Sequence, residues 1–175
     1  MSVQTWQIGW LGGVRVADVA GGLPQERDRV PPLLPDRGAW QAELSGFEEV
    51  PPRLTPATGT FVLHETADGM ALEYELSYAG LSSPTTAAHI HFGQPGVNGE
   101  IIAFLCGGNG KPSCPALAGT ITGTITADDI RAVPEQGLAA GDFAGALRII
   151  RAGLAYVNVH TENFPAGEIR GQILP

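Results

Sequence analysis

Leu72, Tyr74, Leu76 and Tyr78 alternate with Glu73, Glu75 and Ser77 in one unbroken run. Successive side chains of an extended strand point to opposite faces, so this period of two marks a strand buried on one face and wet on the other. Weaker alternation runs through Trp40 to Leu44 and through Thr58 to Glu65, where Phe61 and Leu63 share one face and Val62 and His64 the other. Ala87 to Gly93 and Leu154 to His160 repeat the pattern, and Glu168 to Leu174 adds a last strand. Ile101 to Leu105 is apolar on both faces and is predicted to lie deep inside, while Thr120, Thr122, Thr124 and Thr126 give their strand a β-branched polar face.

Turn signals separate these runs. Ala67-Asp68-Gly69 suits a tight hairpin, Asn98-Gly99 suits a turn needing positive φ, and Pro51-Pro52 cannot donate to a ladder. A helical period occurs only late in the chain. Thr126-Ala127-Asp128-Asp129 has the spacing of a capped helix start, and Asp142 precedes Phe143, Ala146, Leu147 and Ile150 on one stripe, with Gly153 placed to end it. About eight strands with short turns and a short helical insertion near 127–152 predict an all-β fold, a Greek-key β-sandwich or barrel. Residues 1–38 read as an extended arm or linker, broken by Gly21-Gly22, Pro24, Pro31-Pro32 and Pro35, and residues 39–175 as the β-domain. Trp6, Trp10 and Leu11 in the arm predict either packing on the chain's own domain or docking on a protein partner or a second copy.

Composition narrows the function classes. The 18 acidic against 10 basic residues leave a formal charge of −8, which excludes a nucleic-acid partner and favours cations over anions. No apolar run reaches transmembrane length. The first twenty residues lack the pattern of a secretory signal, since the apolar run breaks at Gly12-Gly13 and the first basic residue is Arg15. The two cysteines, Cys106 and Cys114, flank a turn-rich span; a disulfide there implies an oxidising setting, extracellular, periplasmic or in the cell envelope. A thiolate metal pair is the alternative, but no further Cys completes a zinc site, and free thiols in a cytosolic protein remain open.

The candidate chemistry lies in Ala87-Ala88-His89-Ile90-His91-Phe92 and Ala155-Tyr156-Val157-Asn158-Val159-His160. By parity His89 and His91 face opposite to Ile90, and Tyr156, Asn158 and His160 face opposite to Val157 and Val159. If the two strands are neighbours, three imidazoles converge. Neutral imidazole ligates copper, zinc, iron and nickel; the affinity order puts copper first, with zinc as the alternative. Asn158, Glu168, Tyr156 and His64 are candidates to orient these ligands or add another, Glu168 alternatively pairing with Arg170 or lying in solvent. The competing reading makes the histidines structural, hydrogen-bonded across the barrel. Glu48 and Glu49 read as a charged turn rather than as cation ligands. No serine has a nucleophile-elbow context and no loop cradles phosphate, so no catalytic residue is assigned and the chain reads as a binding protein more than an enzyme.

The segments Ala42-Glu-Leu-Ser-Gly-Phe-Glu-Glu-Val-Pro-Pro52, Ala87-Ala-His-Ile-His91, Pro95-Gly-Val-Asn-Gly99, Ala155-Tyr-Val-Asn-Val-His160 and Gly167-Glu-Ile-Arg-Gly-Gln-Ile173 resemble a CHRD domain, the module named after chordin. That resemblance implies an extracellular or envelope β-domain without implying a reaction. His-x-His on one strand with a distant His is also similar to the copper site of copper-zinc superoxide dismutases, which share Greek-key folds. The chain departs from them in having four His in total, no evident zinc loop and a net charge that repels superoxide. Three functions follow, in order: transition-metal binding through His89, His91 and His160; an extracellular scaffold or adhesion module with structural histidines; and a dismutase-like redox enzyme.

Overall fold

The half-buried alternation of Leu72 to Tyr78 is present as read: Leu72, Tyr74, Leu76 and Tyr78 are buried and Glu73 and Glu75 are exposed. A computed structural model describes residues 38–175; Trp6, Trp10 and Leu11 lie outside the described residues. The strands are β1 (Ala39–Ser45), β2 (Thr58–Glu65), β3 (Leu72–Ala79), β4 (Thr85–Phe92), β5 (Glu100–Cys106), β6 (Gly119–Ile125), β7 (Ala155–Thr161) and β8 (Ile169–Gln172), with helix α1 (Phe143–Arg151) before β7. All pair antiparallel in the order β5-β4-β7-β8-β1-β2-β3-β6.

The two ends of this sheet, β5 and β6, come into contact and nearly close it into a barrel. Around the ring β4, β5 and β6 are successive neighbours and β3 lies beside β6, which is a Greek key. The seam is bridged by side chains: Tyr74 Oη donates to the Leu105 carbonyl at 2.7 Å and Lys111 Nζ to the Thr124 carbonyl at 2.8 Å. A buried phenol needs such a partner. Gly123 makes room for it, because a side chain there would run into the Tyr74 hydroxyl.

Phe61, Leu63, Leu76, Ile90, Leu105 and Ile169 fill the interior and are essentially inaccessible. In β5 the expectation of burial on both faces holds for Ile102, Ala103 and Leu105; Ile101 and Phe104 are only half-buried, covering the outer face instead. The second helical piece forms as α1, with Asp142 Oδ1 accepting from the Gly145 amide at 2.8 Å. The first is a single 3₁₀ turn, Ala127–Asp129, held by a capping box and ended before Pro134. In the 95–99 turn the positive φ falls on Gly96, not on Asn98 or Gly99.

Cys106 and Cys114 form a disulfide that closes a loop with a sequence separation of 8. Closing a loop of that size restricts the unfolded chain by roughly 2.5 kcal/mol in the chain-entropy account. A Cys114→Ser variant is therefore expected to lower the urea-unfolding free energy by about that amount with an unchanged native spectrum.

Candidate metal centre

β4 and β7 are antiparallel neighbours, with His89 opposite Asn158, His91 opposite Tyr156 and Ala87 opposite His160. Ala88, Ile90, Val157 and Val159 face the core and are at most 1% exposed. Parity therefore sends His89, His91, Tyr156, Asn158 and His160 to the outer face, where the three rings meet: centroids are 4.7 Å apart for His89–His160, 5.5 Å for His89–His91 and 6.1 Å for His91–His160. One nitrogen from each lies within 4.8 Å of the other two.

The outer face is roofed. His89 and His91 are each only 6% exposed. Phe104 stands edge-on to the His89 ring at 4.4 Å, and the backbone carbonyls of Gly99 and Pro165 reach His91 and His160 from the loops that follow β4 and β7. Those carbonyls settle the tautomers. A carbonyl can only accept, so His91 Nδ1 donates to Gly99 at 2.9 Å and His160 Nδ1 donates to Pro165 at 2.9 Å. Each of these neutral rings then carries a bare lone pair on Nε2. His91 Nε2 is buried without a hydrogen-bond partner. His160 Nε2 faces His89 Nδ1 at 3.0 Å, which donates to it, and Asn158 Oδ1 at 2.9 Å, which is also an acceptor. The one N–H among these atoms is taken by His160, and the His91 Nε2 lone pair and the Asn158 oxygen are left without a proton to pair them.

Protonation does not relieve this. Burial, with the neighbouring His160, His91 and Arg131, pulls the His89 imidazole down to about 3. Burial outweighs the Gly99 bond at His91 and takes it to about 4, and burial also lowers His160. All three rings are neutral at pH 7, the form that ligates a metal.

Of the other expected residues, Asn158 stands within the cluster and Tyr156 beside it. The Tyr156 ring lies flat on His91, centroids 4.7 Å apart and 5° from parallel, while the Arg170 guanidinium covers its other face at 3.4 Å. Its hydroxyl accepts from the Gly99 amide at 3.1 Å, so Tyr156 locks His91 in place instead of pointing at the shared centre. Glu168 is fully buried and neither pairs with Arg170 nor meets solvent; its two oxygens take four bonds from Thr55, Ser82 and Thr161. His64 is exposed on β2, opposite Glu73, away from the cluster. The charged-turn reading holds for exposed Glu48 and fails for Glu49. Glu49 is 4% exposed, and burial pushes its carboxyl up to about 7 against the pull of Arg170, the Val50 amide, Arg53 and Asn158. Phe104 and Arg170 are two further contributors that no local pattern pointed to.

The family model described as CHRD domain matches residues 40–173 of the chain. No curated protein and no solved structure matches it.

Proposed function

The chain belongs to the CHRD domain family, and on that footing we propose that it binds one transition-metal ion, copper ahead of zinc, through His89, His91 and His160. The observation that carries this reading is the pair of tautomers held by Gly99 and Pro165: they leave lone pairs on His91 Nε2, which has no partner, and on His160 Nε2, whose one donor is the His89 N–H. Metal-bound histidines characteristically donate their other ring N–H to a carbonyl or carboxylate in this way. The spacing fits. Two nitrogens bound tetrahedrally at 2.0–2.1 Å would stand about 3.3 Å apart, so His89 and His160, in contact at 3.0 Å, would part slightly and the more distant nitrogens would close. Coordination through His89 Nδ1 would require that ring's proton to sit on Nε2, with Nδ1 giving up its hydrogen bond to His160.

The donors are neutral imidazoles and an amide oxygen, with no thiolate or carboxylate among them, and nitrogen donors with the divalent affinity order favour copper over zinc. Asn158 Oδ1 is the natural fourth donor. Bound copper would supply one-electron chemistry, but the low exposure of His89 and His91 favours a resident ion over turnover. The disulfide and the family together support an extracellular or envelope location. The scaffold reading makes a contrary prediction, namely that the rings are equally stable without an ion. Dialysis of the purified full chain against copper and zinc, followed by elemental analysis, is expected to give one ion per chain, with copper displacing zinc. A chain that retains neither metal returns the histidines to a structural role.

A further inference from the structure

An amide end is nearly symmetric in shape, so what faces its two ends decides which way round it sits. At Asn158 the choice decides the chemistry. With the NH₂ turned to the imidazoles, it would donate to the bare Nε2 atoms and occupy them. With the oxygen turned to them, it adds a donor for a cation. The far end of the amide meets Glu49. Glu49 Oε1 is buried and lacks a hydrogen-bond partner. A side chain at Gly167 would press on that oxygen and begin 2.9 Å from Asn158 Nδ2, so carboxyl and amide nitrogen border one small space. Gly167 leaves that space open, at a φ of 121° that disfavours a side chain. In its ionised form the carboxyl can only accept and an NH₂ can only donate, so that form matches the amide in one orientation alone.

Resting on the metal-centre reading above, we infer that Glu49 is a positioning residue: it takes the Asn158 amide N–H and thereby turns the Asn158 oxygen onto the ion bound by the three imidazoles. This gives a reason for burying a carboxyl in a proline-fixed loop without a salt bridge. The cost of desolvation is met by the orientation it imposes on the fourth donor. The positive charges of Arg170 and Arg53 favour the ionised carboxyl. Outer partners of this kind typically contribute 10–100-fold to metal affinity.

Copper(II) affinity of the full chain by chelator competition, with electron paramagnetic resonance of the bound ion, tests the role. Glu49→Leu removes the acceptor and is expected to weaken binding by about 10–100-fold and alter the resonance. Glu49→Gln, whose amide oxygen still accepts, is expected to stay within about threefold of wild type and keep its spectrum. Asn158→Ala should show the Glu49→Leu spectrum, and adding Glu49→Leu to it should cost nothing more, since both changes remove one interaction. Thermal unfolding of the metal-free variants checks that each is folded, with Glu49→Ala taking the place of Glu49→Leu if the latter is not. Wild-type affinity and spectrum in the acceptor-less variant, equal loss in Glu49→Gln, or additive losses in the double variant each overturn the inference while leaving the three-histidine site standing. A wild-type chain that takes up no copper ends the metal reading itself.

Discussion

Alanine at His160 lowers copper affinity by more than about 100-fold, beyond what loss of an outer partner costs, while the metal-free domain stays folded. The ring is only partly buried, and its removal forfeits one bond to the Pro165 carbonyl and one to His89. A net hydrogen bond contributes about 0.5–1.5 kcal/mol, so the domain tolerates the change. His91 behaves differently, because it is wedged under Tyr156 and carries a buried nitrogen without a partner. His91→Phe separates the two roles. It keeps the flat contact with Tyr156, removes an orphaned polar atom that costs about 1–3 kcal/mol, and leaves the Gly99 carbonyl with only the long bond from the Tyr156 hydroxyl at 3.4 Å, at a similar cost or less. The variant is expected to unfold within about 1 kcal/mol of wild type and to bind no copper. Chelator-competition titration with urea unfolding of the same preparations checks both halves. Stoichiometric copper retained by either variant would place the ion elsewhere.

The site was legible in the sequence to the extent that it depends on pleating. Parity put His89 and His91 on one face and Asn158 and His160 on one face, and the coordinates agree. What parity could not supply was the adjacency of β4 and β7, which are separated in sequence by the β5–β6 excursion and α1 and pair directly as antiparallel neighbours within the sheet. It also could not show that the outer face is roofed. An outward histidine on an antiparallel sheet is normally wet; these are dry because loops fold over them. One is tied by the Asn98 amide, which donates to the Val50 carbonyl at 3.0 Å across 48 residues of chain. For the same reason the charged-turn expectation fails at Glu49. Glu48 and Glu49 are identical in type and adjacent, yet a 3₁₀ turn at Gly46–Glu48 points the first outward and the loop after it buries the second. The first helical piece is present as a capped turn of 3₁₀ type, with Val133 and Leu138 paired as a small bridge after it.

Glu168→Ala is expected to lower stability by about 4 kcal/mol, because it deletes a buried anion satisfied by several donors at once. The carboxylate accepts from Thr55 Oγ1 at 2.8 Å, the Ser82 amide at 2.9 Å, Ser82 Oγ at 2.8 Å and Thr161 Oγ1 at 2.7 Å. These donors come from the loop before β2, the loop before β4 and the end of β7, so one side chain ties three segments to the start of β8. Alanine leaves the Ser82 amide with no acceptor in a dry site, and a main-chain donor cannot rotate away as a hydroxyl can. Glu168→Gln keeps an oxygen for Thr55 and Ser82 and is expected to cost about half as much. Burial pushes the Glu168 carboxyl up, and the bonds from Thr161, Thr55 and Ser82 together more than offset it, so its folded value lies below the ordinary one. Below that ordinary value the unfolded chain takes up the proton first. The contribution of Glu168 is thus complete above the ordinary glutamate range, near 4.3, and declines as pH falls through the folded value. The neutral buried imidazoles add a separate loss that begins near 6.5, where the unfolded histidines protonate. That loss is common to wild type and Glu168→Gln, so their difference isolates the carboxylate. Urea unfolding at pH 7 and again near pH 3.5 should show the gap between the two proteins narrowing in acid. A gap that stays constant would mean that the four donors hold the acid and its anion equally well.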